Sequence, residues 1–338
     1  MDHRSGRKRR ERIRRSLCVA ALAALPAACG GPQSALAPAG RAAGDILELT
    51  LVLSVGGAVI FAGVMALALY AVLARPERFP GGLGWVVGGG IAFPVAVLSV
   101  LQVYEFGIAR GLSALAGPNP LRIEVTGHMW WWDVRYPGTA AAGQGDVRTA
   151  NEIVIPAGRP VELVVVAADV IHSVWVPSLA GKIDMIPGHE NRLAILAEAP
   201  GVHRGQCAEY CGAQHALMAF DVVVEPPDRF DAWIAARARP APEPADPRLR
   251  AGRDGFLRFG CGACHAVRGV AAGVLGPDLT HVGGRAMLGA GTLANSPEAL
   301  AAWIADAQHF KPENRMPPYP VIERETLAAM AAWLWSLK

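Results

Sequence analysis

The stretch GQCAEYCGAQHALM, residues 205–218, places Cys207, Cys211 and His215 four residues apart, with Met218 three residues further on. Two thiols, an imidazole and a thioether so close together form a soft ligand set, which favours copper. A structural zinc site is the main alternative, but such a site takes four Cys or His ligands and has no need of a methionine. A blue single-copper site uses one Cys, whereas two cysteines are enough to bridge two copper ions. The stretch therefore predicts a two-copper site.

The residues around this stretch alternate between apolar and polar positions, as β-strands do. Such runs occur at Glu152–Ile155, Val161–Val166, Ile171–Val176, Leu193–Leu196 and Ala219–Val224, with turn residues between them. The pattern predicts an all-β sandwich or barrel, which we place at residues 120–226. A second imidazole must come from elsewhere in this domain, and His172 in DVIHSVWVPSL is the best candidate. A single strand histidine is nevertheless more often a core residue than a ligand.

The neighbourhood of His172 carries a family resemblance. The segments VIHSVWVPSLAGKIDMIPG (170–188), GQCAEYCGAQHALM and GHMWWWDVRYP (127–137) together resemble subunit II of the haem–copper cytochrome c oxidases. The resemblance covers nearly the whole chain to Val224. It implies a cupredoxin-like sandwich that holds CuA, a dinuclear mixed-valence copper centre.

The same resemblance implies a role for each ligand. Cys207 and Cys211 would bridge both coppers, while His172 and His215 would each bind one. The sulfur of Met218 and the backbone carbonyl of Glu209 would complete the site.

Three further roles come from the resemblance. The carboxylate of Glu209 would also hold a magnesium ion at the interface with subunit I, and Asp184 is either part of that interface or a solvated turn residue. Electrons would enter at Trp130, the first of three consecutive tryptophans; the alternative, half-buried strand packing, accounts for at least one of the three. Four further histidines have no spacing that places them in a site, so we expect them to be surface or structural residues: His128, His189, His203 and His281.

A second cysteine motif lies in FGCGACHAV, residues 259–267. Cys261, Cys264 and His265 form C-x-x-C-H, the attachment signature of a c-type haem, with His265 as the proximal ligand. A redox or zinc-binding cysteine pair is the alternative. By resemblance to small class I cytochromes c, the distal ligand is Met316 in ENRMPPYP, with Met287 as the second candidate. Methionine opposite histidine raises the haem potential, which suits donation to an oxidase.

The residues around this motif predict an all-α class I cytochrome c domain at residues 248–338. Helices are predicted at Leu249–Gly260, Pro297–Gln308 and Glu323–Leu337, with Ser296 as an N-cap. The last helix carries an apolar stripe that we expect to pack on the helix containing Phe256. A proline-rich linker at residues 237–247, RARPAPEPADP, separates this domain from the copper domain.

Two uncharged runs, Leu49–Ala74 and Leu83–Tyr104, are long enough to cross a membrane and predict a transmembrane hairpin at residues 45–107. The loop between them carries Arg75 and Arg78, which the positive-inside rule places in the cytoplasm. Both soluble domains should then lie on the periplasmic or outer face of a bacterial inner membrane. Mitochondrial-type subunits have a glutamate for proton entry at the start of the second span, where this chain has Leu83 and its neighbours.

Residues 1–29 combine a basic segment with the apolar run LCVAALAALPAA, which predicts a signal peptide. PAACGG resembles a lipoprotein cleavage site with Cys29 lipidated; ordinary cleavage or an uncleaved anchor are the alternatives. The formal charge of +3 comes from this segment, so no basic surface argues for nucleic acid. A disulfide framework among the six cysteines is disfavoured, because two close pairs are each followed by a histidine.

Together these features predict the electron-transfer subunit II of a proton-pumping, caa-type cytochrome c oxidase. Electrons would pass from an external donor, cytochrome c or a bc complex, to haem c, then to CuA and to haem in subunit I, where dioxygen is reduced to water. A nitric oxide or nitrous oxide reductase is the alternative among copper enzymes, although the membrane hairpin disfavours the latter. A copper-storage or copper-delivery module would have no need of a haem.

Overall fold

The computed structural model describes residues 30–73, 82–138 and 146–338. The predicted signal peptide with Cys18 and Cys29, and the loop containing Arg75 and Arg78, lie outside these residues.

Two long apolar helices open the described chain. Helix α1 is Arg41–Leu73, and the second helix consists of α2 (Leu83–Val87), a π-helical turn (Gly88–Ala92) and α3 (Phe93–Ala114). Both are long and apolar enough to cross a membrane, and their apolar side chains face outward. This agrees with the predicted hairpin and indicates membrane anchoring.

Helix α1 begins eight residues before the predicted run at Leu49. Its first turn packs on the β domain, where Ala42 and Ala43 are buried and the Gly40 N–H donates to the carbonyl of Ser178 at 3.1 Å. The hydroxyl of Tyr104 on α3 donates to the Glu48 carboxylate on α1 at 2.8 Å. The hairpin is therefore tied at the end that faces the β domain.

The copper domain predicted from the sequence is a sandwich of two five-stranded sheets. One sheet has the order β3-β2-β1-β5-β8 and the other β4-β10-β9-β6-β7. Most neighbours are antiparallel, but β1 pairs with β5, and β4 with β10, in parallel. The strands are β1 (Leu121–His128), β2 (Trp131–Tyr136), β3 (Val147–Ala150), β4 (Glu152–Pro156), β5 (Val161–Ala167), β6 (His172–Trp175), β7 (Lys182–Met185), β8 (Asn191–Ile195), β9 (Gly201–Cys207) and β10 (Ala219–Glu225).

Alternating burial along the strands builds the core between the sheets. In β1, every second residue from Leu121 to Gly127 is buried, as expected for a strand with one face inward. Helix α4, Pro227–Arg237, follows β10 and buries Phe230 and Ile234 against this core. The sequence reading did not include this helix.

The C-terminal domain consists of short helices around a small core. They are α5 (Pro247–Arg258), α6 (Pro297–Ala305), α7 (Ala307–Phe310) and α8 (Arg324–Ser336). Two short hairpins lie between α5 and α6: β11 (Ala266–Val267) with β12 (Ala271–Ala272), and β13 (Met287–Leu288) with β14 (Leu293–Ala294). The Ser296 hydroxyl caps α6 as predicted, accepting the Ala299 N–H at 3.1 Å. The predicted helix Pro297–Gln308 is interrupted because the Asp306 carboxylate accepts the Gln308 and His309 N–H groups and starts α7.

Helices α5 and α8 cross closely enough to require glycine. A Cβ on Gly252 would lie 2.1 Å from the carbonyl oxygen of Ala329, so no larger residue fits at this crossing. Phe256 meets Trp333 edge-on with ring centroids 5.2 Å apart, and Met330 and Leu334 are buried beside them. The predicted packing of the last helix on Phe256 is confirmed.

The C-terminal domain is docked on the sandwich through hydrogen bonds along their boundary. The Ala219 N–H at the start of β10 donates to the Ala290 carbonyl at 3.1 Å. Arg268 donates to the carbonyl of Asp146 at 2.8 Å. His281, expected to be surface or structural, is buried and contacts the carbonyl oxygen of Arg237 through Nε2 at 3.1 Å. These contacts fix which face of each domain meets the other.

Candidate metal and haem sites

The residues of the predicted copper site lie on three neighbouring parts of one sheet. Cys207 ends β9, His172 begins β6, and a short 3₁₀ turn, His215–Leu217, leads to Met218 before β10. The Cys207 N–H donates to the Met218 carbonyl at 2.9 Å, which closes the base of the loop. Because β9 pairs with β6, the loop is held beside His172.

The structure brings all six predicted ligand groups together. The sulfurs of Cys207 and Cys211 are 3.7 Å apart. Nδ1 of His172 lies 3.9 Å from the Cys207 sulfur, and Nδ1 of His215 lies 3.7 Å from the Cys211 sulfur. The Met218 sulfur is 3.8 Å from Cys211, and the Glu209 carbonyl oxygen is 3.1 Å from Cys207.

This donor set fits copper. Two sulfurs at the centre are flanked by one imidazole each, with a thioether and a carbonyl beside them, and the group is largely buried. The ligand atoms of His172, Cys207 and Cys211 all lie within 4.8 Å of one another. Soft sulfur and imidazole donors in an apolar pocket match the preferences of copper.

The two thiols differ in how readily they lose a proton. The hydrogen bond from Cys211 lowers the pKa of Cys207 to about 3, whereas the neighbouring Cys207 thiolate raises the pKa of Cys211. Burial alone would lower the pKa of His172, but its contacts with Cys207 and Asp169 outweigh burial and raise it. The cluster therefore holds a thiolate already, and a metal would take the place of the remaining protons.

Asp169 is a supporting residue that the sequence reading missed. Its carboxylate contacts Nε2 of His172 at 2.9 Å and accepts the Met129 N–H at 2.8 Å. A carboxylate on one imidazole nitrogen fixes the tautomer, so that the other nitrogen faces the metal position. Its position three residues before His172, in DVIHS, was the only signal in the sequence.

Gly127 leaves room for the His172 ring. A Cβ at this position would lie 2.9 Å from Cδ2 of His172 and 3.1 Å from Cγ. We expect Gly127→Ala to displace the ring and weaken copper binding by about 10–100-fold, the range found when support of a metal ligand is lost. A competition titration with a copper chelator measures this. Gly44→Ala is the control, because a Cβ there meets nothing within 4 Å; equal affinities of the two variants would contradict the expectation.

The three consecutive tryptophans have different environments. Trp130 is 8% exposed, and its indole Nε1–H donates to the carbonyl of Cys211 at 2.8 Å. Trp131 stacks on His128 with centroids 4.4 Å apart. Trp132 is fully buried in the core against Phe220. Trp130 is therefore the tryptophan that is hydrogen-bonded to the copper loop, the segment 207–218 that carries the candidate copper ligands.

A cavity of about 460 Å³ lies between the two soluble domains. The C-terminal domain lines it with the residues of the predicted haem site, Cys261, Cys264, His265 and Met316, together with Met287. The sandwich closes it with His128, Met129, Trp130, Trp131 and Asn151. His128, expected to be surface or structural, is thus part of the cavity wall.

The cavity residues fit a haem. Nδ1 of His265 lies 2.8 Å from the Pro277 carbonyl, an arrangement that leaves Nε2 free to bind iron, and burial lowers the pKa of this imidazole. Cys261 and Cys264 are not joined in a disulfide. Arg285 is buried in the wall, and its Nε–H has no partner among the described residues, which suits an anionic carboxylate of a bound haem.

The comparisons with known proteins agree with this division. Residues 121–226 match the family "Cytochrome C oxidase subunit II, periplasmic domain", and residues 250–338 match the family "Cytochrome c". Among the proteins to which the chain is similar are three described as "Cytochrome c oxidase subunit 2". That of Alkalihalophilus pseudofirmus is 41% identical over 66% of this chain and 63% of its own length. That of Bacillus sp. strain PS3 is 31% identical over 72% and 70%, and that of Bacillus subtilis 28% identical over 95% and 97%.

Proposed function

Because the chain belongs to the cytochrome c oxidase subunit II family, we propose that it carries electrons from haem c in its cytochrome domain, through CuA in its sandwich domain, to haem in subunit I for the reduction of dioxygen to water. The relatives support an oxidoreductase component with copper, haem and a membrane anchor.

For the copper pair, we propose Cys207 and Cys211 as the bridging ligands and His172 and His215 as the terminal ones. Met218 and the Glu209 carbonyl complete the site. Bound copper supplies a one-electron carrier whose charge is spread over two ions. The protein contributes a pre-formed, largely buried donor set, so little rearrangement is needed when an electron arrives or leaves.

For the haem, Cys261 and Cys264 would form the two thioether bonds. His265 and Met316 would bind iron from opposite sides. Gly276 allows the His265 ring its position, because a Cβ there would lie 2.6 Å from Cε1. Asn314 and Gln308 hold the Met316 backbone at 2.8 and 3.0 Å, which favours a fixed ligand loop.

The observation that carries the electron path is the shared cavity. Trp130 lines the cavity that contains the haem residues, and its indole donates to the carbonyl of the copper ligand Cys211. One side chain thus touches both sites, and we propose that electrons enter the copper domain there. Joining both carriers on one chain replaces a diffusive encounter with an intramolecular one.

The residues exposed beside the copper loop are candidates for contact with partner subunits. Glu209 and its neighbour Tyr210 are exposed beside the copper loop, which leaves them free to meet subunit I; Glu209 would hold magnesium there. Asp184 is a second candidate for that interface. We place the chain in the bacterial inner membrane, with other oxidase subunits, both soluble domains on the periplasmic face, and cytochrome c or a bc complex as donor.

Electron paramagnetic resonance of the purified, copper-loaded protein tests the proposal. We expect one unpaired electron shared equally by two coppers, because the two thiolates lie between the two imidazoles. A spectrum of a single copper, or no copper signal beside an intact haem spectrum, would contradict it.

Replacing Met316 tests the haem assignment. We expect Met316→Ala to lower the haem reduction potential by about 0.1 V or more, since axial ligands set potentials over a range of about 0.8 V. Redox titration measures the shift, and Met287→Ala is the matched control. If Met287→Ala lowers the potential and Met316→Ala does not, Met287 is the ligand.

A further inference from the structure

A buried lysine of the cytochrome domain reaches into the copper domain. Lys311 follows helix α7 and is 2% exposed. Its ammonium donates to the carbonyl oxygens of Trp130 and Leu217 at 2.9 Å each, and to that of Gly289 at 3.4 Å. An ammonium has three hydrogens to donate, so these acceptors use its full capacity.

The two carbonyls in the copper domain belong to functional segments. Trp130 bridges the cavity and the copper loop, and Leu217 directly precedes the ligand Met218. On its own side, Lys311 begins the loop that leads to Met316. Its carbonyl accepts the Asn314 side chain at 2.6 Å, and Asn314 in turn accepts the Met316 N–H. One side chain therefore joins the haem-ligand loop, the bridging tryptophan and the copper-ligand turn.

Burying the Lys311 ammonium costs free energy, because the charge loses its hydration. Among the described residues, Lys311 forms no ion pair, so carbonyl dipoles alone replace its hydration. Hydrogen bonds from a charged donor are stronger than neutral ones, and loss of the donor would leave buried carbonyls unsatisfied. Such an arrangement fixes position more strictly than an apolar contact does. Arg204, Arg315 and Arg268 also reach across the domain boundary. Of these, Arg268 contacts the Asp146 carbonyl, which belongs to neither site.

We propose that Lys311 is a positioning residue for electron transfer, holding the cytochrome domain in register on Trp130 so that haem and copper pair exchange electrons in the docked state. This inference rests on the proposed function. The step moves one electron from the reduced haem to the oxidised copper pair, with no bond made or broken and no proton required. The rate of this step falls steeply with the distance between haem and copper pair. A small shift of the docked cytochrome domain would therefore slow the transfer.

The test compares Lys311→Met with Arg268→Met in the complete oxidase. Methionine keeps an unbranched side chain but removes the ammonium, and each variant loses one cation that crosses the domain boundary. After flash reduction of the haem, the copper absorption reports the rate of internal transfer. We expect Lys311→Met to slow it about tenfold, as small misplacements of reacting groups do, and Arg268→Met to change it by less than about twofold.

A second readout does not depend on activity. Amide hydrogen exchange should accelerate at Leu217–Ala219 in Lys311→Met, because the Leu217 carbonyl loses its donor and Ala219 is bonded across the boundary. Haem and copper spectra should remain those of the wild type. If Lys311→Met fails to fold, Lys311→Gln is measured in the same way, with the same direction expected.

The outcomes separate this inference from the proposed function. An unchanged transfer rate in the folded Lys311 variant, or equal slowing in Arg268→Met, would overturn the positioning role. An unchanged exchange rate at Leu217–Ala219 would also overturn it. Absence of haem-to-copper transfer in the wild-type oxidase would instead contradict the proposed electron path.

Discussion

Replacing Cys207 with serine is expected to abolish the two-copper resonance signal and to stop electron delivery to the rest of the oxidase. The Cys207 sulfur lies within 4 Å of Cys211, His172 and the Glu209 carbonyl, so it is the central donor of the cluster. The hydrogen bond with Cys211 lowers the pKa of Cys207, which favours its thiolate form. A serine hydroxyl is neither soft nor ionised there, so copper affinity should fall by at least about 100-fold, the upper range for loss of an outer-shell partner.

Cys264→Ser is the reciprocal control for this variant. It removes a thiol from the haem cavity while leaving the copper cluster intact. We expect it to impair haem attachment and to preserve the copper signal, and Cys207→Ser to do the reverse. Copper quantification and resonance spectra, with haem absorption measured on the same samples, check both. A two-copper signal that survives in Cys207→Ser would contradict the ligand assignment.

Replacing Trp130 with leucine is expected to slow transfer from haem to copper by about 100-fold, because precise placement of reacting partners controls steps of this kind. Leucine removes the indole that lines the cavity and the hydrogen bond to the Cys211 carbonyl. The copper ligands themselves are unchanged, so the resonance signal should persist. Flash reduction of the haem, followed at the copper absorption, measures the rate.

Trp131→Leu is the matched control, since Trp131 also lines the cavity but stacks on His128. Within the described part of the chain, its side chain forms no hydrogen bond to residues 207–218. We expect its effect to be much smaller than that of Trp130→Leu. Equal slowing in the two variants would show that filling the cavity, rather than the Trp130 connection, controls the rate.

The sequence indicates the candidate ligands of each site where they are close along the chain. The spacing of Cys207, Cys211, His215 and Met218 reflects one loop closed by a hydrogen bond at its base. His172 was assigned mainly by resemblance, since pairing of β6 with β9 brings it to the loop from a distant part of the chain.

Residues whose roles depend on domain docking could not be predicted. Lys311 is one of four lysines in the chain and belongs to no sequence motif, so its role shows only once the cytochrome domain is placed on Trp130 and Leu217. The same holds for two histidines at the boundary between the domains. There, His128 lines the cavity and His281 contacts the Arg237 carbonyl. These contacts join segments that are far apart in sequence, so the hydrophobic periodicity of the sequence does not predict them.

Other differences between the predicted and the observed helices have local physical causes. The helix from Pro297 ends early because Asp306 caps a new one, a competition between side chain and backbone that apolar periodicity does not report. Helix α4 was not predicted, although Phe230, Trp233 and Ile234 have helical spacing.

We propose that haem and copper pair exchange electrons within one docked chain. The direct measurement is the rate of copper reduction after flash reduction of the haem, recorded over about a tenfold range of oxidase concentration, since an intramolecular step has a fixed effective concentration. The structure predicts a first-order rate that does not change with concentration. A rate that rises in proportion to concentration, or copper that stays oxidised while the haem is reduced, would contradict the claim.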